Sequence, residues 1–85
     1  MLPPHIDAAL AAVRIAGKDL AKKRHRNDIE QARFNLYKTL ERDDLDDAEA
    51  WLRVLRVLMK SLPEDALEIL EPAVLDLADY IEGGE

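Results

Sequence analysis

Leu45-Asp46-Asp47-Ala48-Glu49-Ala50-Trp51-Leu52-Arg53-Val54-Leu55-Arg56-Val57-Leu58-Met59-Lys60-Ser61-Leu62 is the stretch on which the fold turns. Ala48, Trp51, Leu52, Leu55, Leu58, Met59 and Leu62 recur at intervals of three and four, which is one face of an α-helix. A second seam, Ala50, Val54, Val57 and Ser61, has the spacing of a helix-pairing stripe. Only Asp46, Glu49, Arg53, Arg56 and Lys60 remain for water. This apolar arc is wider than one covered side requires. Two arrangements are therefore open: a central helix covered on both sides by its own chain, or a second seam that meets another chain.

The same periodicity extends outward. Pro3-Pro4 suits a helix entrance, because proline's fixed φ is already helical. Ile6, Ala9, Leu10, Val13, Ala16, Gly17 and Leu20 then mark a first amphipathic helix over residues 5–24. Carried further, that face would take Arg24, Asn27 and Gln31, so the pattern stops. Asn27 with Glu30 has the form of a capping box. A second helix is expected over 28–42, burying Ile29, Ala32, Leu36, Tyr37 and Leu40.

Asp43, Asp44, Asp46 and Asp47 around Leu45 supply a cap and an acidic first turn for the third helix, over 45–60. Ser61 or Leu62 caps the fourth, over 63–82, with Pro63 in its first turn. Pro72 falls inside that helix and must kink or split it. Ala66, Leu67, Leu70, Ala73, Val74, Leu77 and Ile81 stay in phase across the proline, which favours a kink. Gly83-Gly84 ends the helix.

Fourteen leucines and twelve alanines, against four aromatic residues, one threonine and one serine, are helix-forming material and poor in what strands favour. Four helices joined by short connections run antiparallel to their neighbours. An all-α, up-down-up-down four-helix bundle forming one domain over residues 1–85 is the expected fold. Ala8, Ala9, Ala11, Ala12, Ala16 and Ala21 permit close approach of the first helix, and Trp51 belongs in the core. Without cysteine there is no disulfide framework, thiolate metal site or cysteine nucleophile. No apolar run reaches the ~18 residues of a membrane span, and the first residues lack a basic-then-apolar signal. A cytoplasmic protein is expected, with no membrane partner.

The net charge of −6 hides an asymmetry. Residues 1–42 carry nine basic and five acidic side chains, whereas residues 43–85 carry three and thirteen. In the expected bundle, Lys22, Lys23, Arg24, Arg26 and Lys60 gather at one pole, tempered by Glu64 and Asp65. Asp43, Asp44, Asp46, Asp47, Asp79, Glu82 and Glu85 gather at the other. Arg14, Lys18, Lys22 and Arg26 form a stripe at helical spacing, with Lys23 and Arg24 beside it. Cations at the C-terminus of the first helix complement its dipole, which accounts for much of the cluster. The remainder could meet an acidic protein partner or phosphates. No aromatic residue interleaves for base stacking, and the acidic balance argues against a dedicated nucleic-acid binder.

Catalytic chemistry is sparse. Neither His5 nor His25 has the Glu three residues earlier that a di-iron bundle uses. The aspartates of 43–47 lack the glycine and glutamate of a calcium loop. Ser61 has no neighbouring base, and no glycine-rich phosphate loop occurs. No enzyme, metal site or cofactor is expected. The leading expectation is a non-catalytic protein–protein interaction module: an adaptor, regulator or inhibitor that forms a homodimer through helical faces. Val54, Val57 and Ala50 head the interface candidates, with Phe34, Ile15 and Leu75 nearly opposite the core faces of their own helices. A nucleic-acid-associated factor using Arg14 to Arg26 is the alternative. A small-molecule or metal-binding bundle comes last, since the expected core offers little polarity beyond Tyr37.

Overall fold

Residues 1–83 are described in the structure, a computed structural model, and they contain four α-helices and, among them, no strand. Helix α1 covers Pro4–Ile15, α2 Lys23–Glu41, α3 Leu45–Met59 and α4 Glu64–Gly83. Helix α4, with 20 residues, spans about 30 Å at the usual rise, and the molecule measures 33 × 19 × 18 Å. The helices therefore lie side by side along one axis. Their short joints leave no length for a return crossing, so sequential neighbours are antiparallel. Helix α1 packs on α2 and α4, α3 packs on α2 and α4, and the diagonal pairs stay apart. This is the expected all-α up-down-up-down bundle.

The interior is built of aliphatic side chains. Ile6, Val13, Ile29, Leu36, Leu52, Leu55, Leu70 and Leu77 are fully buried. Small residues let the helices close on each other: Ala9, Ala16, Ala32, Ala48, Ala66, Ala73 and Ala78 are all buried, whereas Ala8 and Ala11 are exposed. Thr39 is the one buried polar side chain among the described residues, and its hydroxyl donates to the carbonyls of Asn35 (2.8 Å) and Leu36 (3.0 Å). Those bonds to the preceding turn make its burial affordable.

Two aromatic residues depart from the burial expected of them. Tyr37 is 39% exposed and lies outside the core, one turn from the outward-facing Phe34. Trp51 packs against the core at its margin and is only half-buried. Leu36 and Leu55 occupy the central positions instead.

The largest departure concerns the junction of α1 and α2. Helix α1 passes at Ala16 into a π-turn, Ala16–Leu20, closed by the Ala21 N–H donating to the Ala16 carbonyl five residues back (2.9 Å). Ala21 and Lys22 are extended, with ψ of 151° and 148°, and α2 begins at Lys23. The first helix thus ends at residue 20 rather than 24, and the second begins five residues earlier than expected. Asn27 is an exposed residue inside α2, not its cap. The cap pattern lost because Lys23, Arg24 and Arg26 continue a helix readily. The added turn also carries α2 alongside the end of α1, where Ile29 meets Gly17.

The other helix ends follow local chemistry. Helix α2 stops in a Schellman arrangement: Asp44 N–H donates to the Thr39 carbonyl (2.8 Å), and Asp43 N–H to that of Leu40 (3.1 Å). Asp43 sits between them in the left-handed region, with φ of 59°. Asp44 then caps α3, its carboxylate accepting from Asp47 N–H at 3.3 Å, as expected. Ser61 does not cap α4. Its N–H donates to the Leu58 carbonyl at the end of α3 (3.1 Å), Leu62 is buried, and the first α4 bond runs from Leu67 N–H to the Pro63 carbonyl (3.1 Å).

Helix α4 continues through Pro72 as one element and is not split. Pro72 and Glu68 are both exposed, so the carbonyl that loses its donor is on the solvated side. The helix reaches Gly83; Gly84 and Glu85, assigned to the helix stop and the acidic pole, lie outside the described residues.

Candidate functional site

Two surfaces carry the residues singled out from the sequence. The first is the outer face of α3. Leu52 and Leu55 point inward and are covered by the chain itself, while Val54 (41% exposed), Val57 (62%) and Ala50 face out. Val54 and Val57 line a shallow hollow with Leu58 and Arg53. Arg53 is held beside it by Glu49, with Nη2 to Oε1 at 2.6 Å. Phe34 projects from the neighbouring α2, 49% exposed, with the Lys38 ammonium 5.4 Å from its ring centre. Helical rise from the tight α2–α3 joint puts Phe34 at about the height of Val54.

The remaining interface candidates lie elsewhere. Leu75 is 62% exposed in a separate groove, between α3 and α4, with Met59, Val74, Arg56 and Glu71. Arg56 faces that groove and Arg53 the α3 hollow, so cations stand between the two apolar surfaces. Ile15, 50% exposed, lies on the outer side of α1. Leu58 and Met59 were assigned wholly to the core; the structure leaves each half-buried at the edge of one hollow. Their position on the wheel, at the margin of the core seam, was the only signal.

The second surface is the α1–α2 corner. The basic stripe is not one helix face, because the π-turn and the extended Ala21-Lys22 joint interrupt it. Arg14 and Lys18 nevertheless meet Arg26 across the joint, around a hollow of about 200 Å³. Val13, Gly17 and Ile29 supply its apolar lining, with Asn27 and Glu30 at the α2 side. Lys22, Lys23 and Arg24 surround the start of α2, all exposed.

This placement leaves the dipole account to Arg14 and Lys18, in the last turns before the joint, and overturns it for the rest of the cluster. Lys23, Arg24 and Arg26 belong to the opening of a helix, at its positive end, and α2 has no acidic residue in its first turn. Each such cation costs stability where one at a helix C-terminus would add it. At the start of α2 these cations are a local electrostatic liability.

The N-terminal ammonium lies 3.7 Å from Glu41, so the chain start sits beside the end of α2 and the acidic joint that follows. Within that joint, the side-chain hydrogen bond and negative charge of Asp44 push the Asp47 carboxyl above its ordinary range. Both groups are at the surface, and this is cap chemistry rather than an acid–base pair. Among the described residues, no group of three or more His, Asp or Glu side chains converges as a metal site, and no helix is long and apolar enough to cross a membrane. The chain matches no protein-family model, no curated protein and no solved structure.

Proposed function

We propose that this chain is a cytoplasmic, non-catalytic interaction module, an adaptor, regulator or inhibitor, that forms a homodimer through the outer face of α3. The exposure of Val54 and Val57 on a helix whose inner face is already covered supports this reading. Their seam is not needed to complete the monomer's core, and two branched side chains one turn apart offer a stiff surface that loses little entropy on packing. A twofold axis along α3 would bring the seam onto its own copy, the commonest way for one patch to pair. Phe34, exposed on the neighbouring α2, is a further candidate contact. About 1,000 Å² of total buried surface is the threshold for a stable pair.

Light scattering at tens of micromolar is the test. The expected result is a dimeric mass, reduced to a monomer by Val54→Glu with the circular dichroism of the helices unchanged. A monomeric mass for the parent chain overturns the proposal. So does a Val54→Glu variant that unfolds without passing through a folded monomer, since Val54 would then belong to the chain's own core.

A further inference from the structure

The corner between α1 and α2 combines an apolar hollow with three cations that, among the described residues, no carboxylate of the chain pairs with. We infer that this hollow docks an acidic segment of a partner protein, one apolar side chain filling it while neighbouring carboxylates meet Arg14, Lys18 and Arg26.

Three observations carry the inference. First, the size and lining suit a side chain. About 200 Å³ is below the ~300 Å³ at which small-molecule sites begin, and the open lining is mostly apolar, above the buried Val13, Gly17 and Ile29. Second, the cations are available. Among the described residues none of Arg14, Lys18 and Arg26 pairs with a carboxylate. Arg26 spends only Nε, on the Ala21 carbonyl at 3.4 Å. The acid beside them, Glu30, is taken up on its own helix by Arg33, which reaches both carboxylate oxygens. Third, Arg26 stands in the first turns of α2 at the helix's positive end, with Lys23 and Arg24 before it and no acid in the first turn, so the α2 dipole does not explain its presence. A carboxylate-bearing partner would relieve that repulsion on binding.

The hollow favours a protein over a nucleic acid. No aromatic side chain lines it for a base to stack on, and a phosphate backbone has nothing apolar to place in the hollow. The site is on the α1–α2 edge, so it does not depend on pairing through α3.

The test uses the isotope-labelled full chain and three probes at low salt. One is a 12-residue peptide with Glu and Leu at helical spacing; the others are an oligoglutamate and a single-stranded oligonucleotide of equal charge. The Glu/Leu peptide is expected to bind best and to shift the amide signals of Val13, Gly17 and Ile29. Lys18→Glu with Arg26→Glu should weaken it about tenfold or more. Should that pair not fold, Arg14→Gln with Lys18→Gln gives the same reading at about threefold. Val54→Glu should leave peptide affinity unchanged even though it dissolves the proposed dimer. No binding of the Glu/Leu peptide, equal binding of oligoglutamate, tighter binding of the oligonucleotide, or shifts confined to other surfaces would each overturn the inference.

Discussion

Gly17 and Ile29 are in such close approach that a Cβ built on Gly17 would lie 2.7 Å from Ile29 Cγ2. The contact joins the π-turn to the second turn of α2, and both residues are buried. Ile29 is fully buried and stiff at χ1, so it cannot swing aside cheaply. Gly17→Ala is therefore expected to destabilise. Overpacking costs about 1–3 kcal/mol, offset in part by the better helix propensity of alanine, for a net loss of about 1 kcal/mol or more. Urea denaturation measures it; a stabilised variant would place the α1–α2 approach elsewhere.

The early start of α2 reverses the sign expected at Asn27. As a cap, Asn27→Ala would cost about 1 kcal/mol. Inside an exposed helical turn, the same change should stabilise by about 0.5 kcal/mol through propensity alone. Lys23→Glu should also stabilise, by about 0.3–1 kcal/mol at low ionic strength, because it puts an acid at the positive end of the helix. Thermal melts of the two variants at low and high salt separate the effects, since only the second is screened.

Asp43 holds a left-handed φ of 59° where glycine has no steric penalty. Asp43→Gly is expected to add about 0.5–1 kcal/mol, the relief of local strain outweighing the greater freedom of the unfolded chain. Asp43→Val should do the opposite, since a β-branched residue tolerates this region least. Chemical denaturation of the pair is a direct check on the Schellman ending of α2.

At the start of α3 the Asp47 carboxyl is held above its ordinary range by Asp44. A raised carboxyl pKa favours the protonated form on folding. Its contribution to stability is thus present below the ordinary aspartate range and is lost as pH rises through the raised value. Removing the neighbouring charge in Asp44→Asn should return Asp47 to the ordinary range, which a carbon-13 carboxyl titration by NMR would read directly. An unchanged Asp47 titration in that variant would mean that Asp44 is not the cause.

Leu55 is fully buried at the centre of the interior face of α3. Leu55→Ala is expected to cost about 2–5 kcal/mol, a large share of what so small a domain has. Trp51→Ala should cost less than a core tryptophan would, because Trp51 is only half-buried. Its fluorescence emission should fall between the buried and water-exposed limits.

Periodicity determined the number of helices and, Tyr37 apart, the apolar face of each, because those properties depend on which side chains can share one side of a helix; the short connections determined the antiparallel order, and the aspartates of 43–47 marked the cap that Asp44 makes. The outward position of Val54, Val57, Phe34, Ile15 and Leu75 was legible for the same reason. The α1–α2 junction was not. There the local signals, a cap at Asn27 and cations ending a helix, were each worth about 1 kcal/mol or less. Extending α2 to Lys23 and seating Ile29 against Gly17 brought in continuous backbone hydrogen bonds and buried contact that no single helix contains. Tertiary packing therefore decided where α1 stops. It also turned a basic stripe on one helix into a hollow shared by two, since Arg14, Lys18 and Arg26 meet only once the chain has reversed.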